Sequence, residues 1–117
     1  MFAEALQTLL RETEAEFAIF CDYEGEVIGL ASNGLDDFDV RLAGAQVAAV
    51  TIALQKLVSA TGQSDRLGVL CATERGTTLV EALPGHYYVV LSVPRPGLVP
   101  FARRRLAAVA ELFRAEL

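Results

Sequence analysis

The chain has one histidine, His86, two cysteines, Cys21 and Cys71, and an acidic trio, Asp36, Asp37 and Asp39. These residue types could build a nucleophile–base pair, a metal site or an acid–base dyad. A Ser–His or Cys–His site needs its imidazole held in a pocket. His86 instead follows Pro84-Gly85 between two apolar runs and is expected in a solvated turn. The carboxylates open a long apolar helix pattern, where capping and the helix dipole account for them. Their spacing is not that of a calcium loop. Two cysteines and one histidine do not complete a four-ligand zinc site without carboxylates. Both cysteines sit inside apolar runs and are expected to be free core thiols in a reducing compartment. The chain contains no G-x-x-x-x-G-K-[ST], G-x-G-x-x-G or G-x-S-x-G. Arg75, at the tip of Glu74-Arg75-Gly76, is an exposed arginine of a common kind, although such a group can serve a GTPase as a finger. Arg103, Arg104 and Arg105 are successive helix residues about 100° apart and do not form one patch. No catalytic residue, cofactor or metal ion is expected.

The 117 residues are 53% hydrophobic, with 10 basic against 15 acidic residues and a net charge of −5. One domain, 1–117, is expected. The acidic balance argues against a nucleic-acid partner, which would need clustered Lys and Arg. The longest apolar run, from Val47 to Leu54, is far short of the ~20 residues that span a bilayer, so no membrane insertion is expected. The N-terminus has no basic segment ahead of an apolar run, which favours the cytoplasm.

Phe2, Leu6, Leu9 and Leu10 predict a first helix over about 2–13. Strands are predicted over 16–22 and 26–32, joined by Asp22-Tyr23-Glu24-Gly25, with Gly25 free to take positive φ. A long helix follows over about 38–61, capped by Asp36 or Asp37 and stopped by Gly62. Strands at about 66–73, 77–83 and 87–93 are separated by short turns. Pro100 suits the first turn of a last helix reaching Leu117, with Ala102, Leu106, Val109, Ala110, Phe113 and Leu117 on one face. Tyr87 and Tyr88 should point to opposite faces of their strand. Phe17 to Cys21 and Tyr87 to Leu91 are apolar at every position, so the sheet must be covered on both sides. The order α-β-β-α-β-β-β-α therefore predicts an α+β fold, a five-stranded antiparallel sheet sandwiched by helices in α/β/α layers.

The long helix is apolar almost all round. Val40, Val47, Val50, Leu54 and Leu57 form one face, assigned to the sheet. Arg41, Gly44, Ala48, Thr51 and Gln55 form the opposite face, mostly small residues. A surface lined with small residues suggests a second covering layer, most simply a twin helix from another copy. The third strand, Leu67 to Ala72, would lie at a sheet edge if the last three strands form a meander. An apolar edge without Lys or Pro is an aggregation hazard unless it is paired, and pairing with its twin across a two-fold axis removes it. The expected dimer interface is Gly44, Ala48, Thr51 and Gln55 with Leu67, Val69 and Cys71. Ala48→Glu is then expected to split the dimer.

The order of elements, Phe17 to Gly25, Val27-Ile-Gly-Leu-Ala-Ser32, the small-rich Ala43-Gly-Ala-Gln-Val-Ala-Ala49, Arg75-Gly76, Tyr87-Tyr-Val-Val-Leu91 and Ala102-Arg103 together resemble the Roadblock / dynein light chain family, with its bacterial MglB-like regulators of Ras-like GTPases. The resemblance runs nearly end to end. It implies a homodimer with paired middle helices and joined third strands. It also implies a small Ras-like GTPase as partner, regulated by repositioning the GTPase's own residues rather than by a donated arginine. Carried over by position, the partner surface would be Arg41, Gly44, Ala45, Ala48, Thr51 and Gln55. The alternatives are an assembly scaffold in a signalling or motility complex without a GTPase, or a small-molecule sensor of similar build, which would need an internal pocket.

Overall fold

The structure, a computed structural model, describes residues 2–62 and 67–117. Its elements are α1 (Phe2–Thr13), β1 (Phe17–Asp22), β2 (Val27–Ser32), α2 (Asp37–Ala60), β3 (Gly68–Thr73), β4 (Gly76–Leu83), β5 (Tyr87–Val93), a 3-10 turn (Pro96–Leu98) and α3 (Val99–Arg114). The predicted order holds. The first residue of the third predicted strand, residue 66, lies outside the described residues.

Local chemistry sets the boundaries. Asp36 caps α2, its Oδ1 accepting from the Phe38 N–H at 2.8 Å. Thr61 closes the helix, and Gly62 follows at φ 72°. In the β1–β2 turn, Asp22 Oδ1 accepts from the Glu24 and Glu26 amides. Gly25 there has φ 81°, and a Cβ on it would lie 2.6 Å from Ala45 Cα, so the site requires glycine twice over. The last helix ends at Arg114, three residues earlier than expected, and Leu117 is exposed rather than on the core face.

The five strands form one antiparallel sheet in the order β2-β1-β5-β4-β3. The meander β3-β4-β5 follows from the two short turns, and it leaves β2 and β3 at the edges. Helices α1 and α3 cover one face, and α2 covers the other. Beneath α1 and α3 lies a core of Leu6, Leu9, Phe20, Leu91, Leu106 and Phe113. The Phe20 and Phe113 rings lie 4.9 Å apart, and Phe2 packs 4.7 Å from each. Each large side chain fully buried there contributes about 1.5–3 kcal/mol. Beneath α2 lie Ile19, Cys21, Val80, Tyr88 and Val90. Tyr87 packs against the first core and Tyr88 in the second, on opposite faces as expected. Central β1 and β5 are buried on both sides, whereas edge β3 is largely open.

Helix α2 is the one helix among the described residues long and apolar enough in composition to cross a bilayer. It lies instead along the sheet, one side packed down and the other bare.

Candidate interaction surface on the long helix and the edge strand

The face that α2 turns to the sheet is Val40, Gly44, Ala48 and Thr51, all buried. A Cβ on Gly44 would sit 3.2 Å from Ile19 Cδ1, so the backbone comes close to the strand below. The Thr51 hydroxyl donates to the Val47 carbonyl at 2.8 Å and is satisfied within the helix. Gln55 accepts a 2.9 Å hydrogen bond from the Tyr88 hydroxyl. This corrects the sequence expectation: Gly44, Ala48, Thr51 and Gln55 pack on this chain's own sheet and do not form an outer surface. Bulky side chains rise from the sheet at Ile19, Val80, Tyr88 and Val90. A helix with small residues underneath fits against them at close range.

The large side chains go outward. Val50 is 58% exposed and Leu57 60%, although both were assigned to the sheet. Val40 is buried as expected, and Val47 and Leu54 are half-buried. Phe38, at 70%, is the most exposed large hydrophobic residue among the described residues, and Leu42 is exposed beside it. Arg41 is exposed and pairs with Asp37 at 2.7 Å, while Ala45 is half-buried against Gly25.

Among the described residues, strand β3 pairs with β4 alone. Leu67 and Val69 are half-buried and Leu70 is exposed. Cys71 is exposed, not a core thiol, because α2 does not reach over the edge strand. Between α2 and β3 runs a groove of about 320 Å³, lined by Val47, Val50, Thr51, Val69, Cys71 and Val80. The bare side of α2 and the unpaired edge are thus adjacent.

Among the described residues, the reactive residue types lie apart from one another. His86 is exposed in its turn at φ 62°, its ring 6.2 Å from that of Tyr23. Arg75 is exposed at a turn tip. Cys21 is sealed in the core, where burial, and then the neighbouring Asp22 charge, push its thiol up to about 11. Burial also raises the Tyr88 hydroxyl, with Cys21 a lesser cause. Among the described residues no three of His, Cys, Asp and Glu could hold a metal ion. A surface hollow of about 550 Å³ involves Gln55, Ser59, Leu67, His86 and Arg114. Arg114 is already engaged, with the Ala82 carbonyl at 3.0 Å and with Glu111.

No protein-family model matches the chain, and no curated protein matches it. Solved structures do. The Roadblock/LC7 domain from Streptomyces avermitilis superposes with a TM-score of 0.84 at 13% identity, over 97% of this chain and 95% of that one. MglB from Myxococcus xanthus gives 0.77 at 14% identity, over 97% and 95%. The gliding protein MglB from Thermus thermophilus gives 0.74 at 24% identity, over 94% and 88%. The α/β/α arrangement is therefore the Roadblock type. The fold is thus the one shared by these Roadblock/LC7 and MglB structures, the family that the sequence pattern resembles.

Proposed function

We propose that this protein is a non-catalytic, dimeric regulator or scaffold of a small Ras-like GTPase, working in the cytoplasm. The observation that carries the proposal is the bare apolar side of α2 lying next to the unpaired apolar edge β3. Water against Val50, Leu57, Leu70 and Val69 is unfavourable, and a second copy related by a two-fold axis removes both liabilities together. β3 pairs with β3 and extends the sheet, while α2 lies against α2. The interface keeps Leu67, Val69 and Cys71 from the sequence expectation. Its helical part becomes Val47, Val50, Leu54 and Leu57 in place of Gly44, Ala48, Thr51 and Gln55. The GTPase docks on the outer surface of the paired helices, where Arg41 remains exposed. Any stimulation of hydrolysis comes from repositioning the GTPase's own residues.

Two experiments test this. Val50→Glu combined with Leu57→Glu should convert a dimer to a monomer by light scattering, with the circular dichroism unchanged. A wild-type monomer at micromolar concentration would overturn the pairing. A pull-down with GDP, and again with a non-hydrolysable GTP analogue, should retain a small P-loop GTPase more strongly with the analogue. Retention of other components alone would leave an assembly scaffold as the reading.

A further inference from the structure

The exposed large hydrophobic residues fall into separate groups. Val50, Leu57 and Leu70 belong to the proposed two-fold interface. A second group lies on the N-terminal half of α2: Phe38 and Leu42, followed at helical spacing by Ala45 and Ala49. The β1–β2 turn abuts this strip, because Gly25 touches Ala45. The turn brings Tyr23, 52% exposed, together with Glu24 and Glu26. Asp22, Glu24 and Glu26 lie in the turn and Asp36, Asp37 and Asp39 at the helix start, where Arg41 pairs with Asp37. These six acidic residues and one arginine sum to −5, equal to the net charge of the whole chain. The strip is apolar at its centre and acidic around it.

A third group has the opposite character. Phe101, Arg104, Ala108 and Leu112 recur at spacings that share one face of α3, opposite the buried Ala102, Leu106, Val109, Ala110 and Phe113. Arg103 and Arg105 flank that face, with Arg105 held 2.9 Å from Glu12, and Glu111 beside Leu112 is paired with Arg114. The three arginines do not form one patch by themselves, but Arg104 stands in the middle of an apolar strip. Helices α2 and α3 lie on opposite sides of the sheet. The two strips are complementary in charge, both apolar at the centre, and unable to meet within one protomer.

We propose that the basic apolar strip of α3 docks on the acid-rimmed strip of α2 in a second copy. The contact joins unlike surfaces, so it is head-to-tail and propagates unless geometry closes it. It uses neither Val50 nor Leu57 and therefore adds to the two-fold dimer without depending on it, although Arg103 at its flank shares a hollow with Leu70 and its α2 strip competes with the proposed GTPase surface at Arg41. Charges of opposite sign around small apolar centres give an association that salt weakens.

Sedimentation velocity over a range of protein concentrations reads this directly. In about 20 mM NaCl the average mass should rise with concentration, and in about 500 mM it should fall back to the basal unit, because the screening length shrinks severalfold. Leu42→Arg and Arg104→Glu, both at exposed positions, should each weaken the growth at least tenfold and leave the basal unit unchanged. Mixing the two variants should restore association, since one keeps a working α3 strip and the other a working α2 strip. Growth that persists in a Val50→Glu background separates this contact from the two-fold one. A mass independent of concentration at low salt would overturn the proposal and leave the α2 strip to a different protein. So would a mixture that fails to recover.

Discussion

Ala48 shows what a single position decides. With 1% of its surface exposed and the sheet beneath it, Ala48→Glu buries a charge inside the protomer. The expected result is a loss of about 4 kcal/mol in urea unfolding, with no monomer released from an intact dimer. Tyr88→Phe leaves the half-buried Gln55 amide short of a partner and should cost about 1 kcal/mol. Cys21 has its thiol raised from about 9 to about 11, so its neutral form is favoured in the folded chain. That contribution is complete below pH 9, where both states hold the proton. It declines as pH rises through 9 to 11, because the unfolded chain gives the proton up first. A urea midpoint that falls over this range in the wild type, and less in Cys21→Ser, would confirm it. The Asp36 cap, the Gly25 turn and the Gly62 stop were all legible, because each depends on a few neighbours in the chain. The direction of Gly44 and Ala48 was not. It is set by Ile19 and Tyr88, which reach the helix only through the fold.

At the scale of the element, α2 illustrates the limit of periodicity. Val50 and Leu57 on one side and Ala48 on the other are all apolar, so the pattern marks a helix without marking which way it faces. Side-chain size held the missing signal: Val40, Gly44, Ala48, Thr51 and Gln55 run along one stripe as the closest-packing residues available. The position of β3 was readable, since two tight turns force a meander and place its first strand outside. The exposure of Cys71 was less so, because it depends on how far α2 extends across the sheet. A thiol reagent at neutral pH should modify Cys71 and spare Cys21, and both should react in urea. If β3 pairs with its twin, modification of Cys71 should be at least several-fold slower in the wild type than in the Val50→Glu, Leu57→Glu monomer. Equal rates would count against the paired edge.

For the whole molecule, the order of eight main elements and the layered sheet followed from runs, turns and coverage arguments that need no long-range information. Surface character did not, because it depends on which elements come together. The acid rim arises only where a β-turn meets the start of a helix. In the proposed function nucleotide is bound by a partner and not by this chain. Millimolar GTP or GDP added to the chain alone should leave its melting temperature unchanged within about 0.5 °C, because a ligand stabilises only in proportion to its binding to the folded state. A shift of several degrees would refute the non-catalytic reading.

The close seat of α2 on its sheet has a consequence for descent. Where Gly44 rides on Ile19, and Ala48 and Thr51 lie beneath the helix, drift is confined to a small alphabet of side chains. Around Val50 and Leu57 nothing inside the protomer objects to change. Gene copies that diverge from this one should therefore hold the inner stripe nearly still while the outer stripe wanders. New pairing preferences can then arise without the fold being disturbed.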